Sequence, residues 1–244
     1  MTRFFAALSF LTRLPAPGAA NYGPAEVGRG ALCFPLVGAV VGALTVLALL
    51  GFGAVLPPWL AAILAVAVML RATGAFHQDA LADFVDGFGG GFTRADVLRI
   101  MHDSTIGAYG AVALMLALAI RVGCYAALLD GGRAGIVAAA ALARWPSVLL
   151  GAAMPYAHAD GKALGRALTD HIGAREVLGA SVLAVGMGTA LLGSQILPQL
   201  VWLSLCGSWF ARIARRRLQG ITGDTMGAAT EVCELGSLIL LVAL

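Results

Sequence analysis

The apolar positions of this chain fall in long unbroken blocks, not in the alternation of a half-buried strand or the narrow stripe of a soluble helix. Such blocks cover about residues 31–55, 59–70, 106–129, 134–154, 177–197, 199–211 and 226–244. Most are about 18 to 25 residues long, enough to cross a bilayer as a helix, although the second and sixth are short. Pro57 and Pro58 mark the first turn and Pro198 closes the fifth block. Residues 3–14 are too short to cross and predict an amphipathic helix lying in the membrane interface, ended by Pro15 and Pro17. The pattern therefore predicts an all-α, polytopic helical bundle. About seven transmembrane helices follow an N-terminal interfacial helix, in a single domain over residues 1–244, with the lipid bilayer as its solvent.

Composition strengthens this reading. The chain is 60% hydrophobic and 12% charged, where a soluble domain carries about 25% charged residues. Its 32 glycines suit close helix contacts in lipid. Arg13 and Pro15 interrupt the first apolar run, which argues against a cleavable signal. Cys33, Cys124, Cys206 and Cys233 lie far apart with no paired spacing, so neither a disulfide framework nor a zinc site is expected. The net charge of +3 is modest and the sparse aromatic residues form no stacking pattern, so no nucleic acid is expected as a partner.

The distribution of charge says more than its sum. Arg3, Arg13 and Arg29, then Arg71, Arg94 and Arg99, then Lys162, Arg166 and Arg175, then Arg212, Arg215, Arg216 and Arg217 fall in alternate connections. Together they are 13 of the 16 basic residues. By the positive-inside rule these connections and the N-terminus are cytoplasmic. Arg133 alone falls on the other side, and Arg121 and Arg144 lie inside blocks.

One stretch breaks the apolar pattern. Five of the 13 acids (Asp79, Asp83, Asp86, Asp96 and Asp103) fall within residues 79–103. On a helix, Asp79, Asp83 and Asp86 share an arc of roughly 60°. The residues between them are apolar and no lysine lies nearby. A solvated helix end is the simplest reading. The alternative is a divalent cation, for which an all-oxygen ligand set favours Mg²⁺ or Mn²⁺ over zinc. Asp224, Glu231 and Glu234 share an arc of about 80° at the cytoplasmic start of the last block and offer a second carboxylate face.

The remaining candidates each carry two readings. Gly87, Gly89 and Gly90 form either a flexible helix-ending loop or a cradle for substrate phosphates. His77 is a general base, a ligand or a hydrogen-bonded interfacial histidine. Asp103 caps the third crossing helix or serves as a fourth metal ligand. Arg144 and Arg121 pair with buried acids or hold a phosphate. The basic run Arg215–Arg217 is a topology anchor. No Ser-His-Asp arrangement, Walker A motif or dinucleotide fingerprint occurs.

Several ordered motifs resemble the cobalamin synthase family, also called adenosylcobinamide-GDP ribazoletransferase. They are Phe10-Leu11-Thr12-Arg13-Leu14-Pro15, Phe34-Pro35-Leu36-Val37-Gly38, the stretch from His77 to Gly87, Ile100-Met101-His102-Asp103-Ser104 through Gly110, Ala143-Arg144-Trp145, and residues 220–228 followed by Glu231. Ala80 stands where the family usually has glycine, His102 where it often has Lys or Arg, and Gln78 replaces a usual apolar residue. The resemblance implies a Mg²⁺-dependent enzyme of the inner membrane, its active site on the cytoplasmic face. It would join α-ribazole or its 5′-phosphate to adenosylcobinamide-GDP with release of GMP. It also implies metal held by Asp79, Asp83, Asp86 and Asp103, with Asp83 or Asp103 as the proton acceptor. His77, the glycines, Arg144 and Asp224 would place substrate. A homo-oligomer or association with other cobalamin-assembly enzymes is compatible with it. A likeness to membrane CDP-alcohol phosphotransferases is partial. A transporter is the rival class, because membrane carboxylates also line ion paths, but the acids cluster at one face and no internal repeat is evident.

Overall fold

A computed structural model describes residues 1–157 and 164–244; Lys162, counted above among the cytoplasmic basic residues, lies outside them. The helices are α1 (Thr2–Leu11), α2 (Pro24–Gly30), α3 (Phe34–Gly53), α4 (Pro58–Thr73), α5 (Phe76–Gly90), α6 (Arg94–Met101), α7 (Ala108–Leu128), α8 (Arg133–Ala143), α9 (Trp145–Ala153), α10 (Leu164–Thr169), α11 (Ala174–Leu192), α12 (Ile196–Arg217) and α13 (Gly223–Ala243). No strand occurs among the described residues; Tyr156 and Ile221 form one isolated bridge.

The interior is organised around α13, which packs against α5, α7, α8, α9 and α12. From Thr225 to Leu235 nearly every residue of this helix is buried. The outer faces carry Val112, Met115, Leu116 and Ile120 on α7 and Leu197, Val201, Leu205 and Trp209 on α12, all exposed. Their spacing of three and four residues paints one stripe per helix. Apolar outside and ionised inside is the arrangement a multi-pass membrane protein requires, because hydrocarbon covers the stripes and neighbouring helices supply partners for the charges.

The number of crossing helices differs from the expected seven. By length and composition five helical runs among the described residues are long and apolar enough to cross, or six if the bent pair α4–α5 makes one span. Helix α4 has 16 residues, about 24 Å at 1.5 Å per residue, which is short of a hydrocarbon core of about 30 Å. The run Ala174–Arg217 has 44 residues, and Gly193, at φ 56° and ψ −127°, divides it into α11 and α12, of 19 and 22 residues. Each is about 28 to 33 Å long, enough to cross, so this one run holds two of the expected spans.

The elbow between α4 and α5 bends the chain by 89°. Gly74 and Ala75 both adopt left-handed backbone, φ 67° and 58°, which ends α4 and redirects the next helix. Arg13 lies against the elbow: its backbone N–H donates to the Ala72 carbonyl at 2.7 Å, and a Cβ on Gly74 would come within 2.3 Å of its Nε. Position 74 therefore needs glycine for its φ and for the arginine beside it.

Helix α1 buries Ala6, Ala7, Leu8 and Leu11 against α2 and α3. Helices α3 and α8 meet through glycine. A Cβ at Gly38 would stand 2.2 Å from the Ala140 carbonyl oxygen, whereas Gly51, on the same helix, has nothing within 4 Å. Gly38→Ala is expected to lower stability by about 1–3 kcal/mol through overpacking, while Gly51→Ala is neutral or slightly stabilising. Thermal unfolding of the two detergent-solubilised variants checks the contrast.

Candidate active site

Two groups of charge occupy the centre of the bundle, and they are built differently. The deeper group is neutral. Arg121 of α7, fully buried, forms ion pairs with Glu231 at 2.7 Å and with Glu234 of α13. Arg144, at the junction of α8 and α9, reaches the other oxygen of Glu234 at 3.1 Å. Gln78 of α5 donates to Glu231 at 2.7 Å, and Arg121 also reaches the Tyr125 hydroxyl at 3.1 Å. Two arginines and two glutamates thus close on one another, so the second carboxylate face is divided. Glu231 and Glu234 belong to this internal cluster, and Asp224 alone faces the acids of α5. Arg144 is the partner of a buried acid, and its remaining contact is to the backbone of Ala140.

The shallower group sits at the ends of the crossing helices. Asp86 is buried and accepts from two backbone N–H groups of another helix, Gly107 at 2.8 Å and Gly110 at 2.9 Å. These are orphan donors at the start of α7. Asp86 therefore supplies the cap that Asp103 was expected to supply, and a Cβ at either glycine would approach it to 2.4 Å or less. Asp103 is exposed and turns onto Thr105, accepting from its N–H at 2.9 Å and its hydroxyl at 2.6 Å. Asp96 closes a capping box with Thr93 at the start of α6.

Asp79 is exposed and Asp83 half-buried. Asp83 lies one turn before Asp86 on α5, beyond the 89° elbow from α4, in the connection that the basic residues assign to the cytoplasmic side. Partial burial, followed by the charges of Asp224, Asp79 and Asp86, pushes its carboxyl up to about 6, against a smaller opposing effect of His102. Asp79, Asp83 and Asp224 therefore share one electrostatic neighbourhood. None of the three forms an ion pair with arginine or lysine among the described residues. No three His, Cys, Asp or Glu side chains among the described residues stand ready to close on a metal ion.

The glycine run does not form a loop. Gly87, Gly89 and Gly90 are the last residues of α5. A Cβ on Gly87 would meet Met101 at 2.4 Å, and one on Gly89 would meet Tyr109 at 3.0 Å, so the run lets α6 and α7 approach α5. His77 is buried and lines a cleft with Phe10, Phe34, Phe76, Tyr156 and Thr230. His102 is the residue that sequence reasoning passed over: its charge acts on both Asp83 and Asp224. The signal was its place at a position where the resemblance expects a base.

The family described as cobalamin-5-phosphate synthase matches residues 3–242. The chain belongs to this family. It is 38% identical over 248 residues to the adenosylcobinamide-GDP ribazoletransferase of Ralstonia nicotianae, covering 97% of this chain and 93% of the relative. The protein of that name from Pseudomonas paraeruginosa is 39% identical over 237 residues, 96% and 95% of the two chains. That from Sinorhizobium medicae is 38% identical over 251 residues, 96% and 95%. No solved structure matches. Two of this synthase's departures from the family pattern have structural counterparts. Gln78 gives Glu231 a polar partner inside the protein. The Ala80 methyl packs on Gly227, where an added Cβ would lie 2.4 Å away, so Ala80 sets the contact of α5 with α13.

Arg121→Met leaves buried Glu231 without a guanidinium and Glu234 with Arg144 alone, and is expected to cost about 3–5 kcal/mol, read as a large fall in the thermal midpoint. Asp83 gives a signed pH effect. Its folded-state proton affinity exceeds that of an ordinary aspartate, near 3.9, so the folded chain binds the proton more tightly. The contribution of Asp83 to stability is therefore lost as pH rises from about 4 to 6. In metal-free protein, Asp83→Asn should flatten this fall, measured as the difference in midpoint between wild type and variant across that range.

Proposed function

We propose that the chain joins α-ribazole, or its 5′-phosphate, to adenosylcobinamide-GDP with release of GMP, at a site formed by Asp79, Asp83 and Asp224 on the cytoplasmic face of the inner membrane. The observation that carries the placement is the overlap of three carboxylates, from α5 and α13, without arginine or lysine partners among the described residues. The relatives' printed name gives the substrates. The alternate basic connections support the cytoplasmic side.

The reaction forms one phosphodiester bond and breaks one pyrophosphate bond. A ribose hydroxyl of α-ribazole attacks the phosphorus next to cobinamide, and GMP departs with the bridging oxygen. The family description keeps a 5-phosphate in the product, so the attacking hydroxyl is one other than the 5′. Asp83 accepts its proton. A carboxyl raised to about 6 lies closer to neutral pH than an ordinary one, which suits proton transfer. Asp103, already held by Thr105, is the weaker candidate. His102 acts on the same carboxylates and would offer a ring N–H toward the pyrophosphate.

The donors fit Mg²⁺: they are oxygens, their charges reinforce one another, and Mg²⁺ commonly takes one or two carboxylates together with substrate phosphates, so a finished cage is not required. Asp79 and Asp224 would hold it, and when bound it supplies positive charge to the pyrophosphate. Asp86, occupied by α7, positions α5. The glycines and Arg144 have structural partners and are assigned no contact with substrate.

Asp83→Asn in detergent-solubilised protein is expected to reduce GMP release from adenosylcobinamide-GDP and α-ribazole by about 10²- to 10⁴-fold. Full turnover with an unchanged Mg²⁺ requirement would exclude the assignment, and no GMP from folded wild-type protein would exclude the reaction.

A further inference from the structure

A cleft opens between α1, α5, α9, α10 and α13. It encloses about 60 Å³ and opens to solvent at its mouth. Its wall is aromatic. Phe10 stacks on Phe34 with ring centroids 6.0 Å apart and meets Phe76 edge-on at 5.3 Å; His77 lies 5.4 Å beyond Phe76. Met226, Leu168 and Gly227 complete the apolar surface.

Polar groups in the cleft are few. Ser147 donates its hydroxyl to the Arg144 carbonyl at 2.8 Å, and Thr230 donates to the Met226 carbonyl at 3.0 Å. Both therefore turn only lone pairs toward a guest. The Tyr156 hydroxyl accepts from the Gly223 N–H at 3.4 Å at the rim, and His77, beside the aromatic wall, carries an N–H donor in either charge state.

The cleft also adjoins the carboxylate site. Gly223 lines it and precedes Asp224; Phe76 lines it and stands one turn before Asp79 on the same side of α5. The field of Asp224 reaches the phenol of Tyr156, another wall residue. A guest whose ring enters the cleft holds its substituent at the acids.

We infer that this cleft binds the planar benzimidazole base of α-ribazole, with His77 donating to its one free ring nitrogen and the ribose directed to Asp79, Asp83 and Asp224. The inference rests on the reaction proposed above and names a subsite within it. The competing planar guest is the guanine of the GDP moiety. Guanine brings several donors and acceptors on its edges, and a wall of Phe10, Phe34, Phe76 and Met226 would leave most of them unpaired, a costly burial. Benzimidazole brings a single acceptor, and one donor answers it.

The test uses full-length wild type and His77→Phe, with each variant first checked for a monodisperse peak in detergent. His77→Phe is expected to raise KM for α-ribazole at least 10-fold while KM for adenosylcobinamide-GDP stays within about twofold. An indole riboside, in which the acceptor nitrogen is a C–H, should bind wild type at least 10-fold more weakly than α-ribazole and bind His77→Phe as well as α-ribazole does. Should the variant fail to fold, the riboside pair on wild type decides alone, since equal affinity for the two overturns the inference. A rise in KM for adenosylcobinamide-GDP instead, or displacement of GMP from the cleft, also overturns it and assigns the cleft to guanine. Calorimetric binding of α-ribazole separates this failure from that of the reaction. Discriminating α-ribazole binding without any GMP release would leave the subsite standing and remove the proposed chemistry. GMP release with ribosides bound indifferently would do the reverse.

Discussion

The structure depends on a buried exchange of charge among Arg121, Arg144, Glu231 and Glu234. Any one of these groups alone in a membrane interior is costly, and removing one leaves an uncompensated partner. Together they are neutral, and they connect α7, the α8–α9 junction and α13, with Gln78 drawing in α5. The shallower carboxylates depend on that arrangement indirectly. Asp79 and Asp83 belong to α5 and Asp224 to α13, so the site exists only while those two helices keep their register. The contact of Ala80 with Gly227 and the bond from Gln78 to Glu231 set that register at two levels.

The two charge groups also differ in what their chemistry allows. Each deep carboxylate has a guanidinium, so its charge is already committed. Asp86 is likewise committed, to the start of α7. What remains uncommitted is Asp79, Asp83 and Asp224, at the helix ends where polar substrates arrive. The proposed site is thus a thin layer, with paired charge below it.

Much of this was legible in the sequence because its signals were of long range. The apolar blocks gave the helices, and the motif from His77 to Gly87 marked the helix that carries Asp79, Asp83 and Asp86. The fate of each acid was less legible. Asp79, Asp83 and Asp86 share one helical face, but a periodicity of 3.6 residues cannot tell that the last meets two amide groups from residues 107 and 110. Glu231 and Glu234 likewise looked equivalent to Asp224, because their arginines lie about 90 to 113 positions earlier. Glycines 87, 89 and 90 read as a loop, since their low helix propensity gave no hint that α6 and Tyr109 would need the space. His102 carried one signal, its place where the resemblance expects a base, and its electrostatic effect on Asp83 and Asp224 shows why that place counts.

The same deep pairing bears on how the chain is made. Arg121 enters the membrane with α7, whereas Glu231 is 110 residues further on. At roughly 5–20 residues per second of synthesis, the arginine waits several seconds or more before its partners leave the ribosome. During that interval a helix with a single buried guanidinium must be sheltered by the insertion machinery, by water or by lipid headgroups. The charge cluster therefore closes only once α13 is made, and a ribosome that stops short of α13 releases a chain whose central charge has nowhere to go.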